Sequence, residues 1–265
     1  MPPKADSYIT DGMGSDPQSL ERSAGPAGRM LIKAMDRAVS MQTSTISRYV
    51  DFLRSQHPDH SPAQIQELLN KHFRTLATGS GAGVGASAMI PGIGFLTGAA
   101  AISAESVLFL DAAAFYTVAS AYLRGVDISE PERRRALILV VLLGSKGNAL
   151  TDILAGDLKE GSRTLPPVST ISRFSVARLG EVNNRMMRMA LKQVTKKMGA
   201  SWVGKIMPFG IGAVIGSVAN RRLATKVIAN AAESLGPLPA QFTTPAPAKG
   251  SVKEPKAGFL KRFRR

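Results

Sequence analysis

Residues 75–104 read TLATGSGAGVGASAMIPGIGFLTGAAAISA, thirty positions without a charged side chain. Half of them are Gly or Ala, eight are large and apolar, and Pro91-Gly92 interrupts the stretch near its middle. A helix that crosses a bilayer needs about 20 mainly apolar residues, and this stretch is weak for that because Gly, Ser and Thr gain little from leaving water. Small residues spaced four apart instead let two helix backbones approach closely. The stretch therefore predicts two closely packed helices, one up to Met89 and one from about Ile93 to Leu123.

The second half of this stretch returns later in the chain. Residues 92–101 read GIGFLTGAAA, residues 210–219 read GIGAVIGSVA, and a Pro stands just before each copy. Two copies predict a pair of Gly-rich helix starts, and chance similarity between Ala/Gly-rich segments is the alternative. The spacing of small residues predicts that six glycines lie at helix contacts: Gly81, Gly85, Gly94, Gly98, Gly212 and Gly216.

Composition limits the partners and the compartment. The chain has 265 residues and a formal net charge of +15, so an anionic partner is expected, either nucleic acid or an acidic lipid surface. It has no Cys, which excludes disulfides and thiolate chemistry and is typical of a reducing compartment. Its first residues lack the apolar run of a secretion signal. These features predict a protein of the cytoplasm or of the cytoplasmic face of a membrane.

Periodicity and capping signals predict an all-α fold, a bundle of about seven or eight helices with a Gly/Ala-rich centre. Ser61-Pro62 with Gln64 predicts one helix start, and Ser129 with Glu132 predicts another, ahead of an apolar run that indicates a central core helix. Beyond the Gly-rich pair, the predicted helices cover residues 29–53, 62–76, 129–143, 152–159, 171–198 and 210–235.

The same signals divide the chain into three parts. Residues 1–28 are rich in Pro, Gly, Ser and Asp and are predicted to form a flexible tail. Residues 29–236 form the helical domain. Residues 237–265 are predicted to be a disordered, Pro/Ala-rich linker that ends in a basic tail.

Glu105 and Asp111 are the only charged residues in the predicted helix from Ile93 to Leu123. An acid at membrane depth is costly and usually functional, whereas in a helical bundle it more often meets an Arg. Both readings stay open, with Arg133, Arg134 and Arg135 as the candidate ion-pair partners.

Cations outnumber acids eleven to one between residues 171 and 226, where Glu181 is the single acid. A helix with such a face is typical of a membrane-surface or partner-binding element, and a solvated face with interspersed acids is the ordinary alternative. The end of the chain adds aromatic and basic residues together. The residues predicted to contact anionic lipid are Arg178, Arg185, Arg188, Lys192, Lys196, Lys261, Arg262, Arg264 and Arg265.

Sequence motifs for catalysis or cofactor binding fail their structural context. Residues 81–86 read GAGVGA and fit the glycine pattern of a dinucleotide site, but a helix and not a strand is predicted before them. His57, His60 and His72 are the only histidines, and the first two lie in a Pro-containing turn that favours a solvated loop over a metal site. No catalytic residue, metal or cofactor is predicted.

These motifs together resemble those of the EcsC family of bacterial proteins. The resemblance is carried by residues 79–98, by Tyr116 and Tyr122 ahead of the three arginines, and by residues 206–220 with their Met-Pro step and glycines. It covers about residues 30–236. It implies a helical, membrane-associated protein with a membrane transport protein as a partner, and it brings no active site.

The sequence thus predicts a membrane-associated accessory or scaffold protein without catalytic activity. It would hold anionic lipid at the cytoplasmic face of the cell membrane, peripherally or partly embedded. Two alternatives stay open: a soluble helical protein that binds nucleic acid, and an enzyme that uses Glu105 or Asp111 as an acid or base.

Overall fold

A computed structural model describes residues 26–40, 43–87, 94–156, 166–198 and 212–253. Within these ranges the protein is helical and contains no strand, which confirms the predicted all-α fold. Nine helices are described, close to the expected number, and they are numbered here in chain order. They are α1 (Pro26–Ser40), α2 (Thr43–Gln56), α3 (Pro62–Ser87), α4 (Gly94–Leu123), α5 (Pro131–Leu143), α6 (Ser145–Gly156), α7 (Pro167–Arg173), α8 (Val176–Met198) and α9 (Gly212–Leu235).

Helix α5 occupies the centre of the bundle. Its residues 136–141 are buried on every side, as the continuous apolar run predicts. Six other helices pack against it: α1, α4, α6, α7, α8 and α9. A helix of 13 residues surrounded in this way is a core helix and needs no amphipathic face.

The Gly-rich helices form a second layer. Helix α3 lies between α4 and α9 and packs along both of them. The predicted break at Pro91-Gly92 falls in residues 88–93, outside the described part of the chain. What the six selected glycines contact also lies outside it, so their packing role stays a prediction. Among the helices that are described, none is both long and apolar enough to qualify as a membrane span.

Three helix ends lie where the sequence predicts them, at the start of α3 and at the ends of α4 and α9. The Ser61 amide donates to Gln64 Oε1 at 2.8 Å and the Gln64 amide donates to Ser61 Oγ at 3.4 Å, which is the predicted capping box of α3. Gly125 follows α4 at φ 78° and Gly236 follows α9 at φ 69°. Side chains with a Cβ rarely adopt this conformation, so glycine ends both helices.

The predicted cap of α5 is wrong by one residue. Glu130 is the N-cap, and its carboxylate accepts a hydrogen bond from the Glu132 amide. Ser129 instead donates its hydroxyl to Asp127 Oδ1 at 2.6 Å. Asp127 captures Ser129 because its carboxylate also accepts the Ser129 amide two residues on, in the manner of an Asx-turn.

Four predicted boundaries also change. The helix predicted over 29–53 is described as α1 and α2, on either side of residues 41–42, and α1 begins at Pro26, inside the predicted tail. Helix α6 begins at Ser145, earlier than predicted, because Gly144 turns the chain at φ 60°. The helix predicted over 171–198 is divided before Val176, where Ser175 Oγ accepts the Arg178 amide at 3.3 Å and caps α8.

The chain after α9 follows the surface of the bundle. Residues 236–245, called the C-terminal strap below, are not helical, yet Leu238 and Phe242 pack against the core. Arg54 on α2 donates to the main-chain oxygens of the strap. The buried Arg54 thus gives this part of the predicted linker, residues 237–265, specific contacts with the bundle. Residues 254–265 lie outside the described part.

Candidate functional site

Helix α8 presents the predicted cations along one side, with an acid among them. Glu181 accepts from both Arg178, at 3.4 Å, and Arg185, at 2.6 Å. Arg188 donates to the Asn184 main-chain oxygen at 3.4 Å, and Lys192 is exposed. The side chain of Lys196 and the four cations of the tail lie outside the described residues. The face of α8 is therefore less basic than its count of cations suggests, since Glu181 contacts two of them.

A second basic surface lies on α9, and we call it the α9 basic face. It consists of Arg221, Arg222, Leu223 and Lys226, all exposed, with Leu223 at 49% exposure. Within the described residues, no acidic side chain lies within ion-pair distance of these three cations. These three cations belong to the basic excess between residues 171 and 226, but they are not among the residues that the sequence predicts to contact anionic lipid. The sequence signal for this face is the helical spacing of Ala224, Val227 and Ala231. These three residues are buried, so the opposite side of α9, which carries the cations, faces solvent.

The three consecutive arginines at the start of α5 have three different roles. Arg133 pairs with Asp127 at 2.6 Å, and Arg135 pairs with Asp36 of α1 at 3.0 Å. Arg134 is buried, and its guanidinium donates to main-chain and hydroxyl oxygens at 2.7 to 3.0 Å. Its acceptors are Ile128 O, Ser129 O, Val39 O and Thr43 Oγ1. Arg134 therefore joins the end of α1, the start of α2 and the loop before α5.

Asp111 is buried in α4, but its predicted partners are wrong. It pairs with Arg37 of α1, with 3.5 Å between Asp111 Oδ2 and Arg37 Nη1, and its Oδ1 has no hydrogen-bond partner. Burial raises the pKa of this carboxyl, and the charge of Arg37 opposes that shift. The pairing attaches α1 to α4, which is a structural role. The side chain of Glu105, the other acid, lies outside the described residues.

A buried polar network links α3, α4 and the C-terminal strap. Gln66 Nε2 lies 3.0 to 3.2 Å from oxygens of Asn70, Tyr116 and Ser120, and its two hydrogens are shared among them. Gln66 Oε1 accepts from Arg124 at 2.9 Å, and Arg124 also donates to Gly236 O of the strap at 2.9 Å. Burial raises the pKa of the Tyr116 phenol to about 12, so it stays protonated and donates to Asn70 Oδ1 at 2.7 Å. Each member has a partner, as buried polar groups require, and the network fixes how α3 and α4 pack.

The Tyr49 hydroxyl lies 2.7 Å from Nδ1 of His72. Burial lowers the pKa of His72, and the nearby charge of Lys71 adds to that shift. A neutral His72 ring can accept a hydrogen bond from the Tyr49 hydroxyl at Nδ1, whereas a protonated ring cannot. The folded state therefore favours neutral His72.

Acidification should destabilise the protein through His72. Its pKa is lower folded than unfolded, so its contribution to stability is complete above about pH 6.5 and is lost as the pH falls from there towards the folded value. We expect the free energy of unfolding of the parent protein, measured by urea denaturation, to decrease from pH 7.5 to 5.5. The decrease should be smaller in His72→Gln. His60→Gln, which removes a histidine from the turn before α3, is the control. Asp51 and Asp111 have raised pKa values and act in the opposite direction, equally in parent and variants. Equal pH dependence of parent and His72→Gln would contradict this assignment.

The histidine turn does not form a metal site in the described residues. The His57 and His60 rings stack 4.6 Å apart between centroids. Among the described residues no three His, Asp or Glu side chains group in a way that could hold a metal ion. Both rings are half-buried in the turn before α3.

No protein-family model, curated protein or solved structure matches this chain. The EcsC resemblance accordingly rests on the small-residue and Met-Pro motifs of the sequence alone.

Proposed function

We propose that this protein is a non-catalytic scaffold that attaches peripherally to an anionic membrane surface, at the cytoplasmic face. The α9 basic face is the observation that carries the proposal. Membrane-surface helices combine Lys and Arg, which attract anionic headgroups, with an apolar side chain that enters the headgroup boundary. Arg221, Arg222 and Lys226 supply the first, and the exposed Leu223 beside them supplies the second.

The helical body supports the α9 basic face from behind. Ala224, Val227 and Ala231 are buried against the bundle, and α9 packs along α3 and touches α5. Asn230 donates to the Val141 main-chain oxygen at 2.8 Å, and Ser234 donates to Asn148 Oδ1 at 2.7 Å. The orientation of the helix is thereby fixed, so the backbone that presents the cations needs no further ordering on binding.

The scaffold part of the proposal is supported by buried polar contacts that join separate helices. The buried arginine, the buried network and the Asp111 pair each connect separate helices within the described part of the chain. A membrane transport protein is the partner class that the EcsC resemblance implies. Co-purification from solubilised membranes would test that part of the proposal.

Vesicle sedimentation tests the attachment. Purified full-length protein is mixed with vesicles of neutral phosphatidylcholine, or with vesicles containing phosphatidylglycerol, at low and at high salt. We expect co-sedimentation with the anionic vesicles only, weakening as salt shortens the range of the attraction from about 10 Å at 0.1 M to about 3 Å at 1 M. Binding that ignores lipid charge and salt would contradict surface attachment and favour insertion through the Gly-rich helices.

Double-stranded DNA separates the proposal from its main rival. DNA is also anionic and its binding is also salt-dependent. We expect vesicles to retain the protein in the presence of an equal phosphate concentration of DNA, because Leu223 gains from the bilayer and not from a phosphate backbone. Protein that leaves the vesicles for DNA would favour the nucleic-acid function.

A further inference from the structure

Arg54 of α2 is a buried cation whose hydrogen bonds mostly leave the helical bundle. Its Nη2 donates to the main-chain oxygens of Thr244, at 2.6 Å, and Pro245, at 3.2 Å. The ring of Phe242 lies over the guanidinium, with 4.1 Å between Arg54 Cζ and the ring centroid. Three contacts of one side chain thus fall within four residues of the strap.

The bundle prepares Arg54 for such a ligand. Asp51 Oδ1 accepts from Arg54 Nη1 at 3.4 Å, and the Tyr122 hydroxyl of α4 lies at 3.5 Å from the other oxygen of Asp51. Asp51 and Tyr122 orient the guanidinium but leave Nη2 for the strap. A guanidinium carries five N–H donors, so once the strap covers it, carbonyl oxygens at this position replace the water that would otherwise accept from Nη2.

The strap itself is held by few contacts after Gly236. Among the described residues, no hydrogen bond between main-chain atoms joins the strap to a helix. Its main-chain oxygens instead accept from the side chains of Arg54 and Arg124. Thr243, Thr244 and Pro245 are exposed. A segment with little buried surface opens at low free-energy cost, so it can leave and return while the bundle stays folded.

We propose that Arg54, Asp51 and Tyr122 form a recognition site for an extended, uncharged peptide with an aromatic residue followed three positions later by Pro. Residues 242–245, Phe-Thr-Thr-Pro, occupy the site reversibly as a ligand within the same chain. The Pro holds the preceding residue extended, which directs the Thr244 oxygen at Arg54. The guanidinium binds the ring face through a cation–π contact. A partner with the same pattern would compete for the site.

A spin label on the strap tests the docking in the full-length protein. The chain contains no Cys, so Thr243→Cys provides a single attachment point at an exposed position. We expect a slow spectral component in the parent and a mostly mobile label in Arg54→Gln and in Phe242→Ala. Arg48→Gln, at an exposed arginine on the same helix, is the matched control and should keep the slow component. A mobile label in the parent, or a slow component retained in Phe242→Ala, would overturn the proposal.

A competing peptide tests whether the site exchanges its ligand. The peptide PLPAQFTTPAPA, residues 237–248, is added to the labelled protein at several millimolar, because a tethered segment has an effective concentration of about a millimolar. We expect the mobile fraction to rise with this peptide and not with the version that has Ala at the Phe position. Equal effects of both peptides, or none, would overturn the assignment.

Circular dichroism of each variant identifies loss of folding. If Arg54→Gln does not fold, Phe242→Ala decides the docking, since Phe242 lies on the strap.

Discussion

Replacing Arg134 by Met is expected to lower the free energy of unfolding by about 3–5 kcal/mol. Met keeps an apolar stem of similar length but donates no hydrogen bond, so Val39 O and Ile128 O lose a charged donor in a buried environment. A buried acceptor left without a donor costs about 1–3 kcal/mol. Val39 O loses its Arg134 donor, Ile128 O keeps only a 3.4 Å bond from the Thr43 hydroxyl, and Ser129 O and Thr43 Oγ1 lose their bonds from Arg134. Urea unfolding followed by circular dichroism measures the change.

Arg133→Met is the matched control, because it removes a neighbouring arginine of the same helix. The Arg133 side chain is 17% exposed, and it pairs with Asp127, whose side chain is 61% exposed. An ion pair with an exposed partner contributes about 0–1 kcal/mol, so this variant should unfold close to the parent. Similar losses in both variants would show that Arg134 acts through its charge alone and not through the junction of α1, α2 and the loop.

Changing Arg221, Arg222 and Lys226 together to Gln should weaken binding to anionic vesicles by roughly 100-fold. A cation near an acidic leaflet contributes about 1 kcal/mol, so three contribute about 3 kcal/mol, and 1.4 kcal/mol corresponds to a factor of ten. All three side chains are exposed and belong to no ion pair among the described residues, so folding should be unaffected. Sedimentation over a range of lipid concentrations gives the affinity.

The control for net charge is the triple change of Arg185, Arg188 and Lys192 to Gln on α8. It removes the same three charges, but Arg185 already pairs with Glu181 at 2.6 Å, so less attraction to lipid is lost. We expect a smaller decrease than for α9. Equal decreases would mean that overall charge, and not the α9 basic face, determines binding.

The helices could be predicted because their signals are local. The capping box at Ser61 and Gln64 lies within four residues, and the burial of α5 follows from its own apolar run. Gly125 and Gly236 end helices for a reason that concerns only their own backbone. Such features depend on neighbours in sequence, and the structure confirms them.

The contacts between distant segments could not be predicted. The sequence offers the three arginines 133–135 as ion-pair partners of Asp111, but the packing of α1 on α4 places Arg37 beside it. The sequence suggests Arg134 as the partner of an acid, but three of its four acceptors are main-chain oxygens. Every residue has such an oxygen, so these acceptors cannot be recognised in a sequence. The Pro/Ala-rich composition of the strap predicts a linker, because composition reports the cost of ordering a segment and not the presence of a distant side chain such as Arg54 that contacts it.

The separation between Arg54 and Thr244 also bears on how the protein is made. The two residues are 190 positions apart, so at about 5–20 residues per second a ribosome needs roughly 10–40 s to supply the acceptors after Arg54 has been synthesised. During that interval the guanidinium stays hydrated, because the carbonyl oxygens that accept its hydrogen bonds have not yet been made. Arg54 therefore stays accessible to water until the strap has been synthesised, and the strap covers it after the preceding helices have formed.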